Sequence, residues 1–413
     1  KTKGYCTDVF TDAALKFIAA DSQKPFFAYV AYNAPHAPYQ VPDELAAHYR
    51  KLDLTEKAFP KVGEPWAGKK LNTEEIARAY GMIENLDANF GRLMKALEKK
   101  KLAENTLVIF LTDNGPGGVR WNAGLRNRKG TVYEGGIRVP CYVRWPKEAK
   151  PGTIVTTPLA HIDVLPTVLH VCGLPVPHVD GKTFRDLLRR PNTAWANRAI
   201  FFQWHRGDEP EKFRAFAVIR PDYKLVQANG VGEKAKWKPK FELFNLTNDP
   251  FEEHDIAAEK PEHVAAMKDL HAAWFADVTK KGFDPPRIII GSEKENPVRL
   301  SRQDWRGPKA GWAPESEGYW EVKIERAGKY RVTVRAREEF NSMSGSVVNR
   351  GVAQYFGENR MGPGGTKSKS REMNTTVELE KGAARVEATV MLGREKRGAE
   401  YVELEFVGPA KNK

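Results

Sequence analysis

The sequence predicts an α/β protein: a mostly parallel sheet flanked by helices, then a small antiparallel α+β portion, then a C-terminal β-sandwich. Three observations carry this. Continuous apolar runs of strand length, Phe26–Tyr32 and Leu107–Leu111, alternate with stretches of helical period, the pattern of strands covered on both faces. Ile76, Tyr80, Ile83, Leu86, Phe90, Leu93 and Leu97 keep to one stripe of a long helix. After Asp284-Pro285-Pro286 the helical period gives way to short alternating strands separated by Gly and charged turns.

The elements follow in order. Val9, Ala13 and Phe17, with Phe10, Ala14 and Ile18 beside them, predict a first helix. The strand at Pro25–Tyr32 runs into Asn33-Ala34-Pro35-His36-Ala37-Pro38, where the prolines stiffen a loop. Asn72, with Glu75 three residues on, is the expected N-cap of the long helix. The strand Leu107–Leu111 leads directly into Thr112-Asp113-Asn114-Gly115. Gly115 to Gly136 is glycine-dense and predicts a long functional loop. A short strand at Cys141–Trp145 and a helix at Ile162–Val171, entered through His161-Ile162-Asp163 with Pro166 near its first turn, come next. Strands at Arg198–Trp204, Ala215–Arg220, Tyr223–Gln227 and Phe241–Asn245, with a helix at Pro261–Thr279, predict a small antiparallel sheet with one covering helix. The sandwich strands are expected at Tyr319–Ile324, Tyr330–Ala336, Thr375–Leu379, Arg385–Val390 and Glu400–Phe406, with Asn341–Lys369 as a Gly/Ser-rich loop. The expected domains are 1–205, 206–283 and 284–413.

Composition narrows the function. The 413 residues include 10 Trp, 13 Tyr and 20 Phe, too many aromatics for a disordered chain. No apolar run approaches the roughly 18 residues of a membrane span. Three widely spaced cysteines, Cys6, Cys141 and Cys172, make neither a disulfide framework nor a zinc pattern. The 66 Lys+Arg exceed the 53 Asp+Glu by +13, but the excess is spread along the chain. Nucleic-acid binding concentrates charge on one arm or face, so no nucleic-acid partner is expected; an anionic substrate accounts for the excess equally well.

Two loops at strand ends and one basic segment could carry chemistry. Ligands of parallel α/β sheets gather beyond the carboxyl ends of the strands, where His36 and Asp113-Asn114 lie. Asp113 and Asn114 offer hard oxygen donors suited to Ca²⁺ or Mg²⁺, although such a run also makes an ordinary tight turn. Arg126, Arg128, Lys129 and Arg138 place four cations within thirteen residues amid glycines, which suits a tetrahedral oxyanion or simply a solvated basic loop.

Taken together and in this order, Pro35-His36-Ala37-Pro38, Thr112-Asp113-Asn114-Gly115 and Lys129-Gly130-Thr131-Val132-Tyr133-Glu134-Gly135-Gly136-Ile137-Arg138-Val139-Pro140 resemble the sulfatase family of the alkaline-phosphatase-like superfamily. His161-Ile162-Asp163-Val164-Leu165-Pro166-Thr167 and the run Glu242 to Glu252 extend the resemblance, which covers about Lys3 to Thr279. It implies hydrolysis of a sulfate ester, arylsulfatase-like, with a divalent cation, usually Ca²⁺. Asp113 and Asn114 would be metal ligands. Lys129 and His36 would be catalytic and substrate-binding residues, Lys129 on a sulfate oxygen and His36 on the sulfate or as general acid to the leaving oxygen. Arg138 is expected to position the fold or loop. The substrate would be a sulfated small molecule or sulfated glycan, and the location periplasmic or secreted. A phosphoester or phosphonate hydrolase, or an inactive relative that binds sulfated glycans, would use the same residues. Oligomeric state is not legible.

The sequence departs from the family pattern in one respect. The family makes its formylglycine nucleophile from Cys/Ser-x-Pro-x-Arg, and Cys6, Cys141 and Cys172 are followed by other residues. The expectation is therefore an N-terminally truncated sulfatase, inactive alone and poorly soluble. In the sandwich, Trp305, Trp312, Tyr319 and Trp320 could stack on sugar rings, though aromatics near strand starts more commonly pack the core.

Overall fold

The computed structural model describes residues 3–20, 24–63, 71–195, 197–205, 209–232, 236–284, 286–340, 342–349, 351–359, 371–392 and 394–410. The chain divides into two compact units, Lys1–Lys280 and Lys281–Lys413.

The first unit opens with helix α1, Cys6–Ala19, then α2, Asp43–Tyr49, and the long α3, Thr73–Lys99. Asn72 caps α3 as expected, its side chain accepting the Glu75 N–H at 3.2 Å. The apolar stripe of α1 is not its buried face: Thr7, Thr11 and Ile18 are buried, whereas Phe17 is 52% exposed. Polar contacts dock the helix instead. Asp8 accepts from Asn85 at 3.1 Å and from Asn89 at 2.7 Å, and Arg92 pairs with Asp12. The helix forms where the periodicity predicts it; periodicity marks amphipathicity without saying which neighbour a face meets.

Strand β1, Val108–Leu111, precedes the short helix α4, Glu134–Ile137, and strand β2, Cys141–Arg144. The mixed α/β class holds, but strand direction here does not follow the expected parallel sheet. β1 and β2 form an antiparallel ladder, Phe110 opposite Tyr142. Phe26–Tyr32 enters no ladder among the described residues. It is tied to α1 by the Tyr32 hydroxyl, 2.8 Å from Thr11 Oγ1, and by an edge-on contact of Phe26 with Phe17. The expected burial is not met either: Phe27 is 73% and Tyr29 82% exposed. An apolar run names no partner strand, and without one its faces are not covered.

His161–Asp163 forms a 3₁₀ turn leading into α5, Val164–Val171, and α6, Arg185–Arg189, follows. Strands β3, Ile200–Gln203, β4, Phe216–Ile219, β5, Tyr223–Gln227, and β6, Glu242–Asn245, make an antiparallel sheet in chain order. Helix α7, Pro261–Thr279, covers one side by burying Met267 against Phe216, Val218, Leu225 and Leu243. This portion matches the sequence expectation closely, because alternation and turn residues specify an antiparallel meander locally.

The second unit is a sandwich. Its strands are β7, Ile288–Ile290, β8, Val298–Ser301, β9, Tyr319–Ile324, β10, Gly328–Arg335, β11, Ser342–Asn349, β12, Val352–Asn359, β13, Glu372–Leu379, β14, Gly382–Leu392, β15, Glu395–Gly398, and β16, Tyr401–Gly408. One sheet runs β13-β10-β16-β8; the other runs β12-β11-β14-β9-β7, with β15 also on β14. Their inner faces share one core that includes Tyr330, Val332, Leu404, Trp320, Val322 and Val386. The loop expected over Asn341–Lys369 is instead a hairpin for 342–349 and 352–359; the stretch 360–370 lies outside the described residues. Glycine there serves packing: a Cβ on Gly345 would lie 2.4 Å from the Phe356 ring. Trp305 and Trp320 are core residues, and Tyr319 lies under the Arg385 guanidinium at 3.8 Å, so only Trp312, 63% exposed, remains of the four aromatics considered for sugar stacking. No helix among the described residues is long and apolar enough to cross a membrane.

His271 of α7 is fully buried among Phe213, Phe216, Trp274 and Phe275, and neither ring nitrogen has a hydrogen-bond partner among the described residues. Burial first, and repulsion from Lys212 second, lower its pKa to about 4. The unfolded chain therefore binds the extra proton first as pH falls. The associated stability is complete above the ordinary imidazole range and is lost between about pH 6.5 and 4. Urea unfolding should show a loss on the order of 2 kcal/mol between pH 7 and pH 5 from this group. His271→Phe should flatten that part of the dependence, and an unchanged slope would show the ring is not buried neutral.

Candidate functional site

β1 delivers Thr112-Asp113-Asn114-Gly115 at its carboxyl end. The turn is held locally: the Asn114 N–H donates to Asp113 Oδ1 at 2.9 Å, and Asn114 Nδ2 donates to the Gly115 carbonyl at 3.0 Å. Asp113 Oδ2 and Asn114 Oδ1 then accept no hydrogen bond among the described residues. Gly115 is buried and donates its N–H to the Gly136 carbonyl at 3.0 Å. A Cβ at 115 would sit 1.9 Å from the Gly135 oxygen, so only glycine permits this approach.

Lys129 is fixed to the same loop, its N–H donating to the Pro116 carbonyl at 3.1 Å. Its Cδ would lie 3.8 Å from a Cβ at Gly117, so the side chain runs beside the Asp113–Gly118 turn. It is exposed and pairs with no carboxylate among the described residues.

His36 approaches from the Pro35–Pro38 loop. Its N–H donates to the Asn33 carbonyl at 2.9 Å, and its Nδ1 lies 2.5 Å from the Ala37 carbonyl oxygen. A carbonyl only accepts, so Nδ1 carries a proton and Nε2 is the face left for a ligand. Three residues on, the Tyr39 hydroxyl accepts from Arg120 at 3.3 Å. The loops of His36 and Lys129 are thus each in contact with the loop that begins at Asp113: the first through Tyr39 and Arg120, the second through Pro116 and Gly117.

Beneath lies an ionic network that sequence reasoning missed. Lys224 on β5 is fully buried, with its ammonium 2.8 Å from Glu134 and 2.9 Å from Glu252. Glu252 accepts the Glu134 N–H at 2.6 Å, and its carbonyl accepts from Arg126 at 2.8 Å. Arg126 lies over the Tyr133 ring at 4.2 Å, and the Tyr133 hydroxyl donates to Glu242. Burial, and then the bond to Glu242, push the Tyr133 phenol well above its usual range. Burial raises the Glu252 carboxyl against the pull of Lys224. Arg138 pairs with Glu134 at 3.7 Å, in keeping with a positioning role. The one available signal was Lys224 itself, the lysine of an otherwise apolar strand, Tyr223-Lys224-Leu225-Val226. Asp163 is likewise structural, buried while accepting from the N–H groups of Ala160 and Lys182 and from Arg198.

Comparison with known proteins places this arrangement in context. Residues 1–174 match the sulfatase family, and residues 126–278 match the C-terminal part of N-sulphoglucosamine sulphohydrolase. A sulfatase of Formosa agariphila is 32% identical over 285 residues, covering 63% of this chain and 47% of its own length. Human arylsulfatase A is 34% identical over 242 residues, covering 51% of this chain and 46% of its own. The crystal structure of Ps i-CgsB in complex with k-i-k-neocarrahexaose aligns with a TM-score of 0.54 at 28% identity, covering 66% of this chain and 55% of that one. The chain spans about half the length of the curated relatives it matches.

The network makes a stability prediction. Lys224→Met leaves the buried Glu252 without this counterion and Glu134 with Arg138 alone, and should cost about 3–5 kcal/mol in chemical denaturation. Adding Glu134→Gln and Glu252→Gln should recover much of that loss. A single variant as stable as the parent would show that the three charges are not coupled.

Proposed function

We propose that the protein acts on a sulfate ester, yielding an alcohol and sulfate, on the premise that residues 1–174 match the sulfatase family and residues 126–278 the C-terminal part of N-sulphoglucosamine sulphohydrolase. The observation that supports this most directly is the approach of two opposite chemistries: Asp113 and Asn114 carry acceptor oxygens with no donor among the described residues, and the Lys129 stem, with no carboxylate partner among them, passes Gly117 of the same turn. A sulfate group is negatively charged at its rim, so it needs cationic partners on several sides.

In this reading Lys129 pairs with a sulfate oxygen. His36 holds its Nδ1 proton on the Ala37 carbonyl and, when Nε2 also carries a proton, offers that proton to the leaving oxygen as the S–O bond breaks. That proton lets the departing group leave as a neutral alcohol. Asp113 and Asn114 are oxygen donors of the kind a hard divalent cation takes, with Ca²⁺ the leading candidate, and they supply two of the roughly six to eight oxygens such an ion binds. No cluster of three or more acidic, histidine or cysteine side chains suited to a metal occurs among the described residues, so they form a partial set. A cation held there would draw charge from the sulfate oxygens. No Cys/Ser-x-Pro-x-Arg occurs in the 413 residues, so no step through formylglycine is derived and the attacking group is assigned to no residue of this chain. The same reading gives a sulfated small molecule or glycan as substrate and a periplasmic or secreted location.

Titration calorimetry with 4-nitrophenyl sulfate in Ca²⁺ buffer tests the site without requiring turnover. Binding is expected, and Lys129→Ala should weaken it about 10- to 100-fold, the value of one charge-assisted hydrogen bond. Asp113→Ala should abolish the dependence on Ca²⁺. Preference for 4-nitrophenyl phosphate over the sulfate would move the protein to phosphoester chemistry, and indifference to both substitutions would refute the site.

A further inference from the structure

The sandwich leaves one long sheet edge open. β12 is the outer strand of the sheet β12-β11-β14-β9-β7. It pairs with β11 in an unbroken antiparallel register, from Asn359 opposite Ser342 to Val352 opposite Asn349. On its other side, residues 352–357 make no backbone hydrogen bond among the described residues. Half of the N–H and C=O groups of such a strand point away from the sheet, and their natural complement is a further strand. Three features say which strand that is.

The first is the lack of any device that keeps an edge from pairing. Protected edges are short, charged, bulged or interrupted by proline. β7 has three residues and β8 four, and Arg299 of β8 is held on Glu403. β13 is as long as β12 but carries Glu372 and Glu378, which pair with Arg335 and Lys329. Val352-Ala353-Gln354-Tyr355-Phe356-Gly357 of β12 contains neither proline nor charge. The second is electrostatic. The chain is 29% charged and carries +13, so two copies repel on average. Residues 342–349 of β11 and 352–357 of β12 include no Asp, Glu, Lys or Arg. This edge is a neutral strip along which two like-charged molecules can approach.

The third is self-complementarity. A strand paired antiparallel with its own copy is two-fold symmetric, and residues directly opposite point to the same face. Pairing about Tyr355 sets the two Tyr355 rings side by side on the outer face and Ala353 against Gly357 of the second copy. On the inner face it sets Gln354 against Phe356 of the second copy. Phe356 is buried on that face, so the two apolar faces stay on one side of the joined sheet. Tyr355 is 81% and Val352 66% exposed, so the groups that would meet are open.

We propose that the sandwich is a dimerisation module, in which β12 pairs antiparallel with β12 of a second copy of this chain and joins their sheets into one. This gives a function to the unit that lies outside the residues matched to sulfatases, and it holds whatever ester the first unit takes. An edge of this length is a small contact, so the dimer is reversible, with a Kd in the micromolar range.

Sedimentation velocity of the full chain from about 1 μM to about 300 μM brackets that Kd. The dimer fraction should rise with concentration. Tyr355→Lys, at an exposed position, brings two ammonium groups together across the two-fold and should weaken the dimer about tenfold or more. Tyr355→Phe should leave it unchanged. Hydrogen–deuterium exchange at both ends of the range locates the contact: amides of β12 should slow as concentration rises, and those of β13 should not. A monomer throughout the range overturns the proposal. So does a dimer indifferent to Tyr355→Lys, or one that protects no β12 amide, because association then runs through another surface.

Discussion

One buried ammonium organises the candidate site. Lys224 reaches from the small antiparallel sheet to Glu134 and Glu252, and both acids are tied to the segment that carries Lys129. A lysine so buried is tolerated only with its countercharges in place. The arrangement therefore fixes three segments relative to one another: β5, the turn after β6, and the glycine-rich loop. Arg126, laid over Tyr133 and bonded to the Glu252 carbonyl, closes the same loop from its other end.

The glycines complete what the charges begin. Gly115, Gly135 and Gly136 sit where a Cβ would come within about 2 Å of a neighbouring carbonyl oxygen, at 1.9, 2.2 and 2.2 Å. Backbone thus packs on backbone near Asp113 and Lys129, and the candidate side chains project from a base with little freedom. Such a base suits recognition of a small tetrahedral anion, whose oxygens demand donors at fixed angles.

The legibility of the sequence varied with the range of the interactions. The Asn72 cap, the span of α7 and the β3–β6 meander were readable because each is set by residues within a few positions. The pairing of β1 with β2 and the docking of α1 through Asp8 and Asp12 were not, because they depend on partners far along the chain. In the sandwich, Gly345 read as a loop residue because its function, making room for Phe356, exists only once β11 and β12 are paired. Of the candidate site, His36, Asp113, Asn114 and Lys129 were legible as types in an order. The tautomer of His36 and the Lys224 network required coordinates.

The hydrophobic clusters of the described residues each stay within one unit, the one built on Phe216 and Leu243 in the first and the one built on Tyr330 and Trp320 in the second. A chain partitioned in this way has modular evolvability. The sandwich core is assembled from strands of its own unit, so its sequence can drift while the glycine-bound loop stays under strict steric selection.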